Sequence, residues 1–168
     1  MRLLLATLIA ATPASATAAV LTPDGFGPLK IGMTRQQVTA IYGKDRSPGS
    51  VGGPEPGICE QYQPRRAPPG LIVMLERDRL TRISLARNRG LRTSDGIGIG
   101  FRRTAVLAKL GKAARLTPHT YEDRPAVYID HWRGKPGTRG IRYEVGKNNQ
   151  VEMIHAGGPS IRYVEGCL

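Results

Sequence analysis

Two stretches of this chain are copies of one another. "GPLKIGMTRQQVTAIYG" occupies residues 27–43 and "DGIGIGFRRTAVLAKLG" residues 95–111. At a constant offset of 68, Ile31-Gly32 falls on Ile99-Gly100, Met33 on Phe101 and Arg35 on Arg103. Val38 falls on Val106, Ala40 on Ala108, Tyr42 on Leu110 and Gly43 on Gly111. A repeat of this kind means one supersecondary unit used twice, each copy needing the other to bury its apolar face.

The segments downstream of the two copies correspond as well. "GLIVMLERDRLTRISLA" (70–86) reads as two strands around a turn at Glu76–Arg79, and "GIRYEVGKNNQVEMIHAG" (140–157) as two strands around Gly146–Gln150. "AVYIDHW" (126–132) is a further strand, with Val127, Ile129 and His131 on one face and Tyr128, Asp130 and Trp132 on the other. "CEQYQ" (59–63) holds the same place in the first copy. The first helix has a capping box, Thr34 with Gln37, an apolar face of Val38, Ile41 and Tyr42, and a stop at Gly43. Helices this short do not persist alone and must lie on a sheet. The expected fold is α+β: two tandem strand–helix–antiparallel-sheet units, separated by Pro/Gly-rich loops at 45–57 and 65–70.

The glycines before the second helix invite a nucleotide-loop reading, which fails. Gly96, Gly98 and Gly100 miss G-x-G-x-x-G because residue 101 is Phe, and Gly111-Lys112 is followed by Ala113, not Ser or Thr. The first copy carries Pro28, Leu29 and Lys30 where the second has Gly96, Ile97 and Gly98, so these glycines belong to a strand-to-helix turn. Arg102 and Arg103 remain of interest. Arginines at a helix N-terminus oppose the helix dipole, a conflict that a bound anion would remove. They are a candidate anion site; the alternative is that both side chains swing into water.

Residues 1–18, "MRLLLATLIAATPASATA", have the basic start, apolar run and small-residue end of a cleavable signal peptide, too short for a spanning helix. No lipid-attachment cysteine comes after it, so the expectation is a periplasmic or secreted protein with no transmembrane segment. In an oxidising compartment Cys59 and Cys167 are expected to form a disulfide; two buried unpaired thiols are the alternative. The formal charge is +12, and loss of Arg2 with the leader lowers it by one. Such a balance favours anionic partners such as glycolipid, acidic phospholipid or an acidic protein face, although an Arg-, Ala- and Gly-rich composition also arises from a GC-rich genome.

The pattern G-x-L-x-I-G-M-T-x-x-x-V, here Gly27, Leu29, Ile31, Gly32, Met33, Thr34 and Val38, resembles the SmpA/OmlA (BamE-like) family. It is similar also to the tandem fold of β-lactamase inhibitor protein. Ile97, Ile99, Gly100 and Val106 match it in the second copy. The resemblance implies two BamE/BLIP-like units, residues 19–90 and 91–168, in an exported protein that binds rather than catalyses. BamE-like proteins are usually lipoproteins with one unit. A chain with two units and no lipid cysteine moves the comparison toward the tandem inhibitor.

Motifs for chemistry are absent: no G-x-S-x-G, H-E-x-x-H or C-x-x-C occurs. His131 and His155 lie in predicted strands and could meet as metal ligands, but Asp130 and His131 point to opposite faces, and a structural role is the reading for all three histidines, His119 included. Neither metal nor cofactor is expected, nor an enzyme. The candidate partner surface is aromatic and basic: Tyr121, Tyr128, Trp132, Arg133, Arg142 and Tyr143. Tyr128 and Trp132 belong to it if their strand face is exposed, and to the core if it meets the helix. The chain lacks an RNP signature, and nucleic acid is not an expected partner. The leading expectation is a binding protein of the bacterial envelope; the alternative is a secreted enzyme inhibitor, and a third class, a small metal-dependent hydrolase, would need His131 and His155 clustered.

Overall fold

The computed structural model describes residues 19–48, 55 and 57–167; the leader, residues 1–18, lies outside them. In chain order the elements are β1 (Leu21–Thr22), β2 (Gly25–Phe26), β3 (Leu29–Lys30), α1 (Arg35–Tyr42), β4 (Cys59–Tyr62), β5 (Leu71–Glu76) and β6 (Arg79–Ala86). Then come α2 (Arg103–Leu110), β7 (Arg115–Pro118), β8 (Val127–Trp132), β9 (Gly140–Val145) and β10 (Val151–Gly157). Short 3-10 turns at Gly111–Ala113 and Pro159–Arg162 complete them. The chain is α+β. β1–β3 form a small antiparallel sheet, and the other seven strands form one large sheet of order β4-β5-β6-β10-β9-β8-β7.

The seam of the large sheet is β6 against β10. These strands pair antiparallel, Ala86 opposite Met153 through Arg82 opposite Gly157, so the last strand of each half lies beside the other. Alternation along the strands sends Leu71, Val73, Leu85, Ile129, Ile141, Tyr143, Val145 and Ile154 to one face, where they form a continuous buried core with Val38, Val106 and the small sheet's Leu21, Phe26 and Leu29. Chain crossing helps to fuse the halves: Leu21 N–H donates to Arg92 O and Ser94 N–H to Leu21 O, both at 2.8 Å.

The two copied segments dock through the same backbone bonds. Gly32 N–H donates to Leu80 O at 2.7 Å, and Gly100 N–H to Val151 O at 2.8 Å. Leu80 N–H returns to Met33 O, and Val151 N–H to Phe101 O, at 2.8 and 2.9 Å. Arg35 N–H reaches Asp78 O, and Arg103 N–H reaches Asn149 O. Each helix is therefore hung from the hairpin that comes after it in the chain. The sequence identity at Ile-Gly is the trace of this bond set, since these bonds use the backbone and leave neighbouring side chains free to vary.

The helix ends differ as the sequence says they should. Thr34 accepts from Gln37 N–H while the Gln37 side chain accepts from Thr34 N–H, the full capping box. Arg102 has the same extended cap geometry, with φ −67° and ψ 143°, but makes no side-chain cap bond. Both helices end on glycines with positive φ, 84° at Gly43 and 52° at Gly111, which L side chains rarely adopt. No helix of the described residues is long and apolar enough to cross a membrane.

Thr34→Ala should lower the unfolding free energy by about 1 kcal/mol, since it orphans one helix N–H. Arg102→Asp should raise it by roughly 0.5–1 kcal/mol, since it supplies the missing cap and suits the helix dipole. Urea midpoints check both; a loss with Arg102→Asp would mean that Arg102 stabilises the fold through something other than its cap position.

Candidate binding face

The face of the large sheet away from the helices is polar and built in register rows. The middle row runs Ile72, Ser84, His155, Arg142, Asp130 and Arg115 across six neighbouring strands. On one side lies a row of Ala86, Met153, Glu144, Tyr128 and Thr117. On the other lies Gln61, Met74, Arg82, Gly157, Gly140 and Trp132. Strand alternation alone accounts for this assignment once the seam is fixed.

Two segments cover most of this face. The C-terminal tail lies on the Arg82–Trp132 row. Arg82 Nη1 donates to the carbonyls of Ser160 and Tyr163 at 3.0 and 2.9 Å, and its Nη2 to Gln61 Oε1 at 2.5 Å. Arg162 bonds Asp130 Oδ2 at 3.3 Å and stacks over Trp132. A disulfide between Cys59 and Cys167, S–S 2.12 Å, pins the tail to the edge strand β4. From the opposite side comes the β7–β8 loop. His119 stacks on Tyr128 at 4.6 Å and bonds Glu144 at 3.2 Å, and the Tyr121 hydroxyl donates to Glu165 of the tail.

Beneath these segments the charges are paired. Asp130 is fully buried and held by Arg142 through two bonds, 2.7 and 3.0 Å. Burial lowers the Arg82 guanidinium to about 10, still protonated at neutral pH. Ser84 Oγ lies 2.8 Å from His155 Nδ1, and His155 Nε2 lies 3.6 Å from Glu144 Oε2. Burial pushes His155 down to about 4, helped by the positive charge of Arg82 and Arg142 and opposed by Glu144. Burial would raise Glu144, but the hydrogen bonds from His155 and His119 outweigh it and hold the carboxyl low. His119 Nδ1 already accepts the N–H groups of Tyr121 and Glu122, which assigns its Nε2–H to Glu144. Serine, histidine and glutamate in contact have the residue types of an acyl-transfer triad. Ser84, however, is 2% exposed and His155 6%, shut under the loop and tail. A substrate carbonyl has no approach to Ser84 Oγ in this arrangement.

Among the described residues, neither the tail nor the β7–β8 loop lines the Ile72 end of the face. There Ile72, Ala86 and Met153 floor a groove of about 620 Å³ rimmed by Arg46, Arg87 and Arg89. Gly70, also at the groove, has φ +81°, and a Cβ there would sit 2.0 Å from Ala86 O; only glycine lets the β5 entry lie this close to β6. Arg46 Nη2 is held by the carbonyls of Arg65 and Ala67 at 3.1 and 3.2 Å. Arg87 has φ +62° at the centre of a three-residue turn closed by Asn88 N–H to Ala86 O. A left-handed non-glycine residue in such a turn carries backbone strain. Among the described residues none of these three arginines has a carboxylate within ion-pair distance.

The structure redistributes the residues read from sequence. Tyr128, Trp132 and Arg142 do share one face, which is neither free surface nor helix-facing core but is covered by the tail and loop. Tyr121 stands above it, 64% exposed. Tyr143 does not belong to that surface. It pairs in register with Ile129, points into the core and is 0% exposed, its hydroxyl bonded to Asp95 and Thr93. Arg133 is exposed but tied to Asp24 of the small sheet by a bidentate pair. His131 bonds Asp95 at 3.0 Å on the core side, whereas His155 lies on the outer face, so the two cannot share a metal. Arg102 is exposed at the α2 start, and Arg103 reaches Pro125 O. Sequence reasoning misses the groove arginines; the basic run "ARNRG" at the end of β6 is the one sequence signal for them.

Comparison with known proteins bears on the fold. No family model matches the chain, and no curated protein matches it. A solved structure, that of a DUF4309 family protein, YjgB from Bacillus subtilis, is similar over 79% of this chain and 84% of that one. Its TM-score is 0.51 and its identity 15%. At that identity the likeness speaks for shared architecture alone.

The buried network on this face makes stability depend on pH. His155 is lowered on folding from an ordinary 6.5 to about 4, so the unfolded chain takes up the proton first. Stability should therefore be full above about pH 6.5 and fall by on the order of 2–3 kcal/mol as pH drops toward 4. In His155→Gln this slope should flatten, as read from urea melts at several pH values. Separately, Tyr143→Phe should cost about 1–2 kcal/mol, while Tyr128→Phe, whose hydroxyl is buried without a partner, should be near neutral. Equal losses would mean that Tyr128 has a partner the side-chain geometry does not reveal.

Proposed function

We propose that the chain is an exported, non-catalytic binding protein of the bacterial envelope, built from two BamE/BLIP-like units, residues 19–90 and 91–168. It engages a protein or an anionic envelope component through the open end of its outer sheet face and the basic loops around it. The leader-like N-terminus and the disulfide support export. The repeated docking bonds of the two helices support the tandem reading. The observation that carries the binding role is the groove: among the described residues its three lining arginines, Arg46, Arg87 and Arg89, have no carboxylate partner and stand around an apolar floor, while Asp130, Arg142 and Arg82 on the same face are held by side chains and tail carbonyls.

An inhibitor of a secreted enzyme is the second reading. It is favoured by the loop 65–70, which brings Pro69 and Gly70 to the groove rim, as a contact loop of an inhibitor would be. The seclusion of Ser84 and His155 argues for binding over hydrolysis in either case.

The test is capture from envelope extract by the immobilised, disulfide-bonded protein, beside an Arg46→Glu/Arg87→Glu/Arg89→Glu variant. The expected result is a component retained by the native protein, released as salt rises and absent from the variant. A component retained equally by both proteins would contradict the site. Retention of one enzyme through high salt, with its activity lowered in the complex, would favour the inhibitor reading.

A further inference from the structure

The groove combines two features that a site for simple anions does not need together. Its rim is lined by Arg46, Arg87 and Arg89, the Arg89 guanidinium lying on the side of Gly100, and its floor is Ile72, Ala86 and Met153 from three adjacent strands. Inorganic phosphate or a carboxylate would be served by the arginines alone, and its hydration would be opposed by an apolar floor. A neutral hydrocarbon would gain from the floor but would leave the rim arginines without an anion. A molecule with an oxyanion at one end and an apolar body at the other satisfies both parts. The volume, about 620 Å³, lies within the range of small-molecule sites, roughly 300–1,000 Å³.

The backbone around the rim points the same way. Arg87 is kept at φ +62°, a conformation in which glycine would be unstrained and an arginine carries backbone strain. Arg46 is fixed by two carbonyls, so its head group is presented and not left to wander. A guanidinium held in this way loses less freedom on binding an oxyanion, which can take two parallel N–H bonds from it.

We infer that the groove formed by Ile72, Ala86 and Met153 with Arg46, Arg87 and Arg89 binds an anionic amphiphile, its phosphate or carboxylate head on the arginines and its acyl or alkyl chain along the floor. This rests on the binding role proposed above and names the chemistry of the ligand.

Titration calorimetry of the disulfide-bonded protein with dodecyl phosphate, kept below its micelle concentration, tests it against two partial probes. Inorganic phosphate supplies the head alone, and dodecyl maltoside supplies the chain under a neutral head. Dodecyl phosphate should bind at least tenfold more tightly than either. Arg87→Gly should weaken it at least fivefold while leaving the urea midpoint equal or higher, because glycine relieves the positive φ. Met153→Glu should also weaken it, and Arg102→Ser should not. Equal affinity for inorganic phosphate would overturn the inference by making the floor idle, and equal affinity for the maltoside would do so by making the arginines idle. An effect of Arg102→Ser as large as that of Arg87→Gly would place the anion at the α2 terminus instead. If dodecyl phosphate fails while envelope extract is still captured through the arginines, the ligand class falls and the binding role stands; if both fail, the binding role falls too.

Discussion

The pairing of β6 with β10 is the contact on which the rest of the structure depends. It turns two small helix-on-hairpin halves into one seven-stranded sheet, and its register sets every neighbour on the outer face. With Ser84 opposite His155, the middle row carries a buried polar network; with Ala86 opposite Met153, the next row ends in an apolar floor. A slip of one residue would exchange the two faces of β10, sending Ile154 and Ala156 outward and His155 into the core. The hydrophobic set on the inner face makes such a slip costly, so burial of one face specifies the chemistry of the other.

The outer face then divides by what lies over it. Where the tail and the β7–β8 loop meet, the arginines are used up: Arg142 and Arg162 on Asp130, Arg82 on tail carbonyls. A fully buried aspartate is tolerable only with such complete pairing, and removing Arg142 would leave its charge to the longer bonds from Arg162. The disulfide holds the tail in place from the far edge, its cysteines separated by 108 positions in the sequence. Neither segment lines the groove at the Ile72 end, where among the described residues the arginines have no carboxylate partner and Ala86 and Met153 are half-buried. Cover by the tail and exposure at the Ile72 end give the face an open groove there.

Much of the fold is legible in the sequence because it rests on local rules. The copied Ile-Gly segments, the Thr34–Gln37 capping box and the two hairpins are short-range features, and strand alternation places Tyr128, Asp130 and Trp132 together correctly. Register between strands is a long-range matter and is not legible. Sequence alone groups Tyr143 with Tyr128 because both are aromatic and lie on consecutive strands, yet Tyr128 stands opposite Glu144, and Tyr143 opposite Ile129. The same limit hides the groove, whose rim and floor come from residues 46, 72, 86–89 and 153, brought together only by the seam. The tail's role is half visible, since the cysteine pair is readable and the cover it creates is not.

The claim that the open end of the outer face is where this protein binds can be tested directly by a hydrogen-exchange footprint of the captured complex. Amides of residues 70–72, 86–89 and 153 should exchange more slowly in the complex than in the free protein, with α1, α2 and the small sheet unchanged. Slowed exchange centred on residues 101–105, or on the helix side of the molecule, would contradict the account and move the site away from the sheet face.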